Sequence, residues 1–173
     1  MKEPDWFGRG FDFSFPASYF PYVVERVRGT PARIEELIAD CDPAILTTQV
    51  GEGWSIQEHA GHLLDLDELH VGRLDDFMAG TDTLRAADLT NRKTYEANHN
   101  AASIDDLLRE FRAARKEFVE RVEDLDEEQV TQTAIHPRVG KPMRLIDLVY
   151  FVAEHDDHHL ASITYIAKTL GRK

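Results

Sequence analysis

Apolar residues recur along this chain at intervals of three and four, and almost nowhere in alternation, so helices are expected and strands are not. Four stretches carry the pattern. The first runs from about Ser18 to Cys41, with Tyr22, Val23, Val27, Ile34, Leu37, Ile38 and Cys41 on one face. Gly29-Thr30-Pro31 interrupts it; Thr30 suits a fresh N-cap with Pro31 at the first helical position, so a kink or two abutting pieces are expected. The second begins at Ser55, where Ser55-Ile56-Gln57-Glu58 reads as a capping box, and Gly80 is a natural stop. The third begins near Ser103 and keeps its period through Ile104, Leu107, Leu108, Phe111, Ala114, Phe118, Val122 and Leu125. The fourth follows Lys141-Pro142, carries Leu145, Leu148, Val149, Val152, Leu160, Ile163 and Ile166, and ends near Leu170-Gly171.

Connection lengths turn four helices into a topology. Residues 79 to 102, between the second and third helices, are too many for a simple hairpin, and a long crossover lets two successive helices run parallel. The expected fold is all-α: one four-helix-bundle domain over residues 1–173 in up-down-down-up order, which begins with an aromatic N-terminal arm over residues 1–17. That arm holds Trp6, Phe7, Phe11, Phe13 and Phe15, and should pack across the bundle or onto a second copy.

Composition narrows the class. The sequence has 173 residues, 42% of them hydrophobic, which suits one globular domain. A formal charge of −12 repels phosphate backbones and argues against nucleic-acid partners. No stretch approaches the ~18 apolar residues of a membrane span, and the N-terminus lacks the basic start and apolar run of a signal peptide. The single cysteine, Cys41, excludes an intrachain disulfide and reads as a small buried hydrophobe. A cytoplasmic location is expected.

The chemistry lies in the histidines. On the fourth helix the stripe passes through His155 and His159, one turn apart on the buried face, the spacing at which two imidazoles bind one ion. His158 points towards solvent or the rim, and Glu154, Asp156 and Asp157 flank the pair, one of them an acceptor for a ligand's other N–H. A third ligand should come from another helix, and the second offers His59, His62 and His70. A helical wheel puts His59 and His70 inside the apolar arc and His62 at its edge.

Trp54-Ser55-Ile56-Gln57-Glu58-His59-Ala60-Gly61-His62-Leu63 resembles the start of the second helix of the DinB/YfiT-like superfamily, whose pattern is roughly W-S-x-x-E-x-x-x-H-L. The segment ending His155-Asp156-Asp157-His158-His159 resembles that family's H-x-x-x-H in the last helix, and the likeness covers about residues 18 to 170. Members often carry a Gln just after the last His; Leu160-Ala161-Ser162-Ile163 stands here instead. The resemblance implies a metal triad at His62, His155 and His159, against the wheel's preference for His59 or His70. It implies one divalent transition metal, zinc or nickel first and iron as a further option. It implies enzymes that include transferases of low-molecular-weight thiols, a small-molecule substrate and a homodimer. Three imidazoles with an open position make a catalytic rather than a closed site, able to activate a thiol or a water.

Supporting positions around the ion or in a pocket are His59, Asp156, Asn91, His99 and Arg138, with Tyr95, Asn98 and His136 nearby in sequence. Two other readings compete. Asp67-x-x-His70 and Asp156-x-x-His159 mimic the motif of a di-metal carboxylate bundle, with Glu35 or Glu36 and Glu110 or Glu117 as further ligands. Alternatively the histidines are core residues of a non-enzymatic binding or dimerising bundle.

Overall fold

A computed structural model describes residues 6–171; the first five residues of the arm lie outside them. Helix α1 (Phe20–Arg28) abuts α2 (Thr30–Ile38), and α3 (Pro43–Leu46), α4 (Ile56–Met78) and α5 (Arg92–Ala97) follow. Next come α6 (Ile104–Glu123), α7 (Glu127–Thr131), the strands β1 (Thr133–His136) and β2 (Lys141–Arg144), and α8 (Leu145–Leu170). The break at Gly29 falls where expected, but Thr30 is the first residue of α2 rather than its cap. Its hydroxyl instead donates to the buried Asp156 carboxylate at 2.6 Å.

Two apolar clusters show how the helices run. One gathers Val23 and Val27 of α1, Leu74 and Phe77 from the end of α4, Phe118 and Val122 from the end of α6, and Leu145 and Leu148 from the start of α8. The other gathers Ile34 of α2, Ile56 and Leu63 from the start of α4, Leu107 and Phe111 from the start of α6, and Ile163 and Ile166 from the end of α8. The chain thus goes up through α1–α2, down α4, down α6 and up α8: a four-helix bundle in which residues 79–103 form the crossover.

Between these clusters lies a polar layer built from all four bundle members. The Arg115 guanidinium of α6 pairs with Asp67 of α4 at 3.0 Å and with Asp156 of α8, and donates to Val27 O at 3.0 Å. Thr30 completes the shell around Asp156. All four side chains are inaccessible, and their partners replace the water they lose.

The fourth helix starts at Leu145, after Lys141-Pro142 as expected, but a strand pair that no alternation announces precedes it and takes in Lys141 and Pro142. Those residues belong to β2, which pairs antiparallel with β1, Pro142 opposite Ile135. The crossover docks on the same hairpin through Leu84 N–H to Ile135 O at 3.0 Å and Ile135 N–H to Asp82 O at 2.8 Å. Strands of four residues, one holding a proline, are too short to show alternation. Within the arm, Trp6 and Phe11 pack on Phe151 of α8, with ring centroids 5.1 and 5.0 Å away, and Phe15 packs on Tyr150 at 4.9 Å. Among the described residues no helix is long and apolar enough to cross a membrane.

Candidate metal centre

Helix α4 starts on a complete capping box, with Ser55 Oγ accepting from Glu58 N–H at 3.1 Å and Glu58 Oε2 accepting from Ser55 N–H at 2.7 Å. That box sets the phase of the helix and aims His59 and His62 at α8. Trp54, just before it, lays its indole against His62, centroids 4.7 Å apart. On α8, His155 and His159 follow one another by a turn, and their Nε2 atoms are 3.1 Å apart. His62, His155 and His159 each present one ring nitrogen within 4.8 Å of the others, and all three are buried.

A hydrogen-bond chain decides which nitrogen His62 presents. Thr94 Oγ1 lies 2.9 Å from Asp65 Oδ2 and 3.0 Å from His62 Nδ1. The hydroxyl has one proton, and the carboxylate can only accept, so the proton goes to Asp65. His62 must then donate from Nδ1, which leaves the Nε2 lone pair for the cluster. Asp65 also takes an N–H from His99 Nε2 at 2.8 Å. His59 Nδ1 sits 2.8 Å from His159 Nδ1, so His59 can hold that ring while His159 Nε2 faces His155.

Charge state completes the picture. Burial pushes His62 down to about 4, with Asp65 pulling up and His99 and His158 pushing further down. Burial takes His59 down to about 3, and His155 and His159 well below the usual imidazole range. All four rings are therefore neutral at pH 7, as metal ligands must be. Three neutral imidazoles, each with a ring nitrogen within 4.8 Å of the other two, are the donor set of a transition ion, and the residues present fit one.

The cluster forms part of the wall of an open cavity of about 440 Å³, to which α4, α8, the crossover, the hairpin and the arm all contribute. Asn91, Tyr95, His136 and Arg138 line it as the sequence suggests, and so do His59, His70 and His158. His99 does not; it is buried behind α4, where its ring fills the space that a side chain on Gly61 would need. Asn98 is exposed in the left-handed region, φ 49°, away from the cavity wall. Cys41 sits against the apolar cluster at the α2 end.

Asp156 needs correcting. Rather than accepting from a ligand imidazole, it faces the bundle interior and pairs with Arg115. The same pairing removes the di-metal reading. Asp67 and Asp156, its two core carboxylates, share a guanidinium, while Glu36, Glu110 and Glu117 are exposed and Glu35 pairs with Arg112. Sequence reasoning missed Thr94, Asp65, Arg73 and Arg115. Asp65 and Arg115 left a trace: one is three residues from His62 on the same helix, the other is a charge on an apolar stripe.

No curated protein matches the sequence. Among solved structures the chain is similar to YfiT from Bacillus subtilis, described as a probable metal-dependent hydrolase with an unusual four-helix bundle topology. The identity is 18%, the TM-score 0.77, and 95% of each chain is covered. It is also similar to the mycothiol-dependent maleylpyruvate isomerase, at 11% identity and a TM-score of 0.67, over 86% of this chain and 61% of that one. A histidine-to-alanine mutant of that isomerase gives the same values. At such identities the likeness is one of fold. The family model of the DinB superfamily matches residues 26–163, most of the chain including every histidine of the cluster, and the protein belongs to that superfamily.

Proposed function

We propose that the protein is a metal-dependent enzyme in which His62, His155 and His159 hold one divalent transition ion and a small molecule reacts in the adjoining cavity. The observation that carries this reading is the convergence of three neutral imidazoles, one with its tautomer set by Thr94 and Asp65, on the wall of an open 440 Å³ cavity. An ion there would supply Lewis acidity, acidifying a thiol or a water that reaches its open side. The chain's own residues do the rest. Thr94 and His59 hold two of the rings in orientation, and Trp54 and Trp6 wall the cluster on two sides.

The nucleophile we favour is a low-molecular-weight thiol attacking a small electrophile. Cys41 does not line the cavity, so any thiol has to arrive from outside, and the space admits one. The mycothiol dependence of one structural relative supports this choice; the probable hydrolase activity of the other supports water as the alternative. Three imidazoles suit zinc, nickel, iron or copper and do not choose among them; zinc or nickel is the ion we favour, with iron next.

Elemental analysis of protein purified without a histidine tag tests the reading, beside a His155→Ala/His159→Ala variant. The expected result is about one transition ion per chain, lost in the variant and also in His62→Ala but kept in His158→Ala. Loss of free thiol in the presence of electrophiles, against acid release without thiol, then separates transfer from hydrolysis. No ion in either protein, and no uptake of added zinc or nickel, would overturn it.

A further inference from the structure

The cavity beside the histidines is lined by two guanidinium groups that form no ion pair among the described residues. Arg73 of α4 is only 3% exposed, yet it lines the cavity. Its Nε donates to Arg85 O at 3.1 Å, and among the described residues no carboxylate pairs with its guanidinium. The carboxylate whose field it feels, Asp76, has both oxygens bound to Arg85 at 2.8 to 3.2 Å. Burial pushes Arg73 down to about 10, against the pull of Asp76.

Arg138, half-buried, lines the same cavity. It sits between β1 and β2, where the guanidinium carbon lies 5.2, 4.8 and 5.9 Å from the ring centres of Trp6, Phe7 and Phe151. Among the described residues it forms no ion pair, and burial lowers it from its ordinary range. Trp6 packs in turn on His155 at 4.8 Å, so Arg138 stands one ring away from the imidazole cluster. Two acids, Glu52 and Asp88, reach the cavity, but both are exposed. Both Asp88 oxygens are already occupied, by Thr90 N–H, Thr90 Oγ1 and Arg92 N–H.

A desolvated guanidinium without a counter-charge is costly, and proteins retain such groups where a ligand supplies the missing charge. Here one buried and one half-buried guanidinium, neither ion-paired among the described residues, open on one cavity of a molecule whose net charge is −12. Leu66, Leu69 and Trp54 make much of the remaining wall apolar. We propose that Arg73 and Arg138 bind the acid group of the substrate, and that this substrate is a small apolar carboxylate. A guanidinium fork matches a carboxylate through two parallel N–H bonds. The apolar body then lies along the leucines and indoles, beside His62, His155 and His159. This deepens the enzyme reading and rests on it for turnover; the binding step itself needs only the arginines.

Calorimetric titration with phenylacetate and its neutral counterpart phenylacetamide tests the proposal on the full chain, in metal-loaded and chelator-treated forms. Phenylacetate should bind both forms, about tenfold or more tighter than the amide. Arg138→Gln and Arg73→Gln should each lose about tenfold of that affinity and leave the weaker amide binding unchanged. Arg138 stands in a half-buried turn, so its variant keeps the test valid if Arg73→Gln fails to fold. The proposal is overturned if acid and amide bind alike, if neither binds, or if acid binding requires metal and survives both substitutions. Tighter binding of phenylphosphonate than of phenylacetate would overturn the carboxylate class. Metal-free protein that takes up no ion but binds phenylacetate through the arginines would sink the enzyme reading and leave this site standing.

Discussion

The Thr94 hydroxyl has one proton to give, and Asp65 takes it. Everything His62 can offer a metal follows from that choice. Replacing Thr94 with valine removes the acceptor that fixes the Nδ1–H tautomer while keeping the shape of the side chain. We expect metal affinity to fall by ~10–100-fold, measured by competition with a chromogenic chelator, and Thr94→Ser to restore most of it. An unchanged affinity would mean that packing against Trp54 alone orients the ring. The helical wheel favours His59 or His70 over His62 because it counts apolar neighbours, and both favoured residues are indeed buried. What it cannot count is a threonine 32 residues further on that turns an edge position into a held one. His59 meets His159 instead, and His70 has both ring nitrogens buried without a partner among the described residues.

At the scale of elements, legibility follows from how local the cause is. The start of α4 could be read because Ser55 and Glu58 satisfy each other within one turn. The α1–α2 break was readable from Gly29 and Pro31, although Thr30 serves Asp156 rather than the helix end. The hairpin was not readable, since its strands depend on the crossover docking against them. The polar layer was legible only as an anomaly, Arg115 on a stripe of phenylalanines. Its energetic role is testable. Arg115→Met strands two carboxylates in the core and should lower unfolding free energy by ~3–5 kcal/mol in chemical denaturation. Adding Asp67→Leu and Asp156→Leu should recover most of that loss, because an apolar layer of similar volume no longer needs a charge. If the single variant is as stable as the parent, water reaches this layer and the ion pairs matter little.

For the whole molecule, the buried imidazoles set the response to acid. His59 titrates at about 3, and His62 and His136 at about 4, whereas each takes its proton near 6.5 in the unfolded chain. The folded values are lowered, so the unfolded state binds more protons between these limits. Stability is fully present above about pH 6.5 and drains away as pH falls towards 4, on the order of 3 kcal/mol for His62 alone. Asp67, which burial pushes up to about 6 against the pull of Arg115, works with the opposite sign and offsets part of the loss. Thermal unfolding followed from pH 8 to 4 should show the decline, steeper with metal bound because protons compete for the same lone pairs. A melting temperature flat across that range would contradict the burial of these rings.

Trp6 and Trp54 are the only tryptophans in the sequence, and they lie against different imidazoles of the cluster: Trp6 4.8 Å from His155, Trp54 4.7 Å from His62. One arrives on the arm beside α8, the other stands at the head of α4. All of the protein's indole emission therefore originates within a ring's width of the same few nitrogens. Indole light from this molecule carries no background from a distant tryptophan, so its colour and yield belong to the histidine cluster and to whatever sits there.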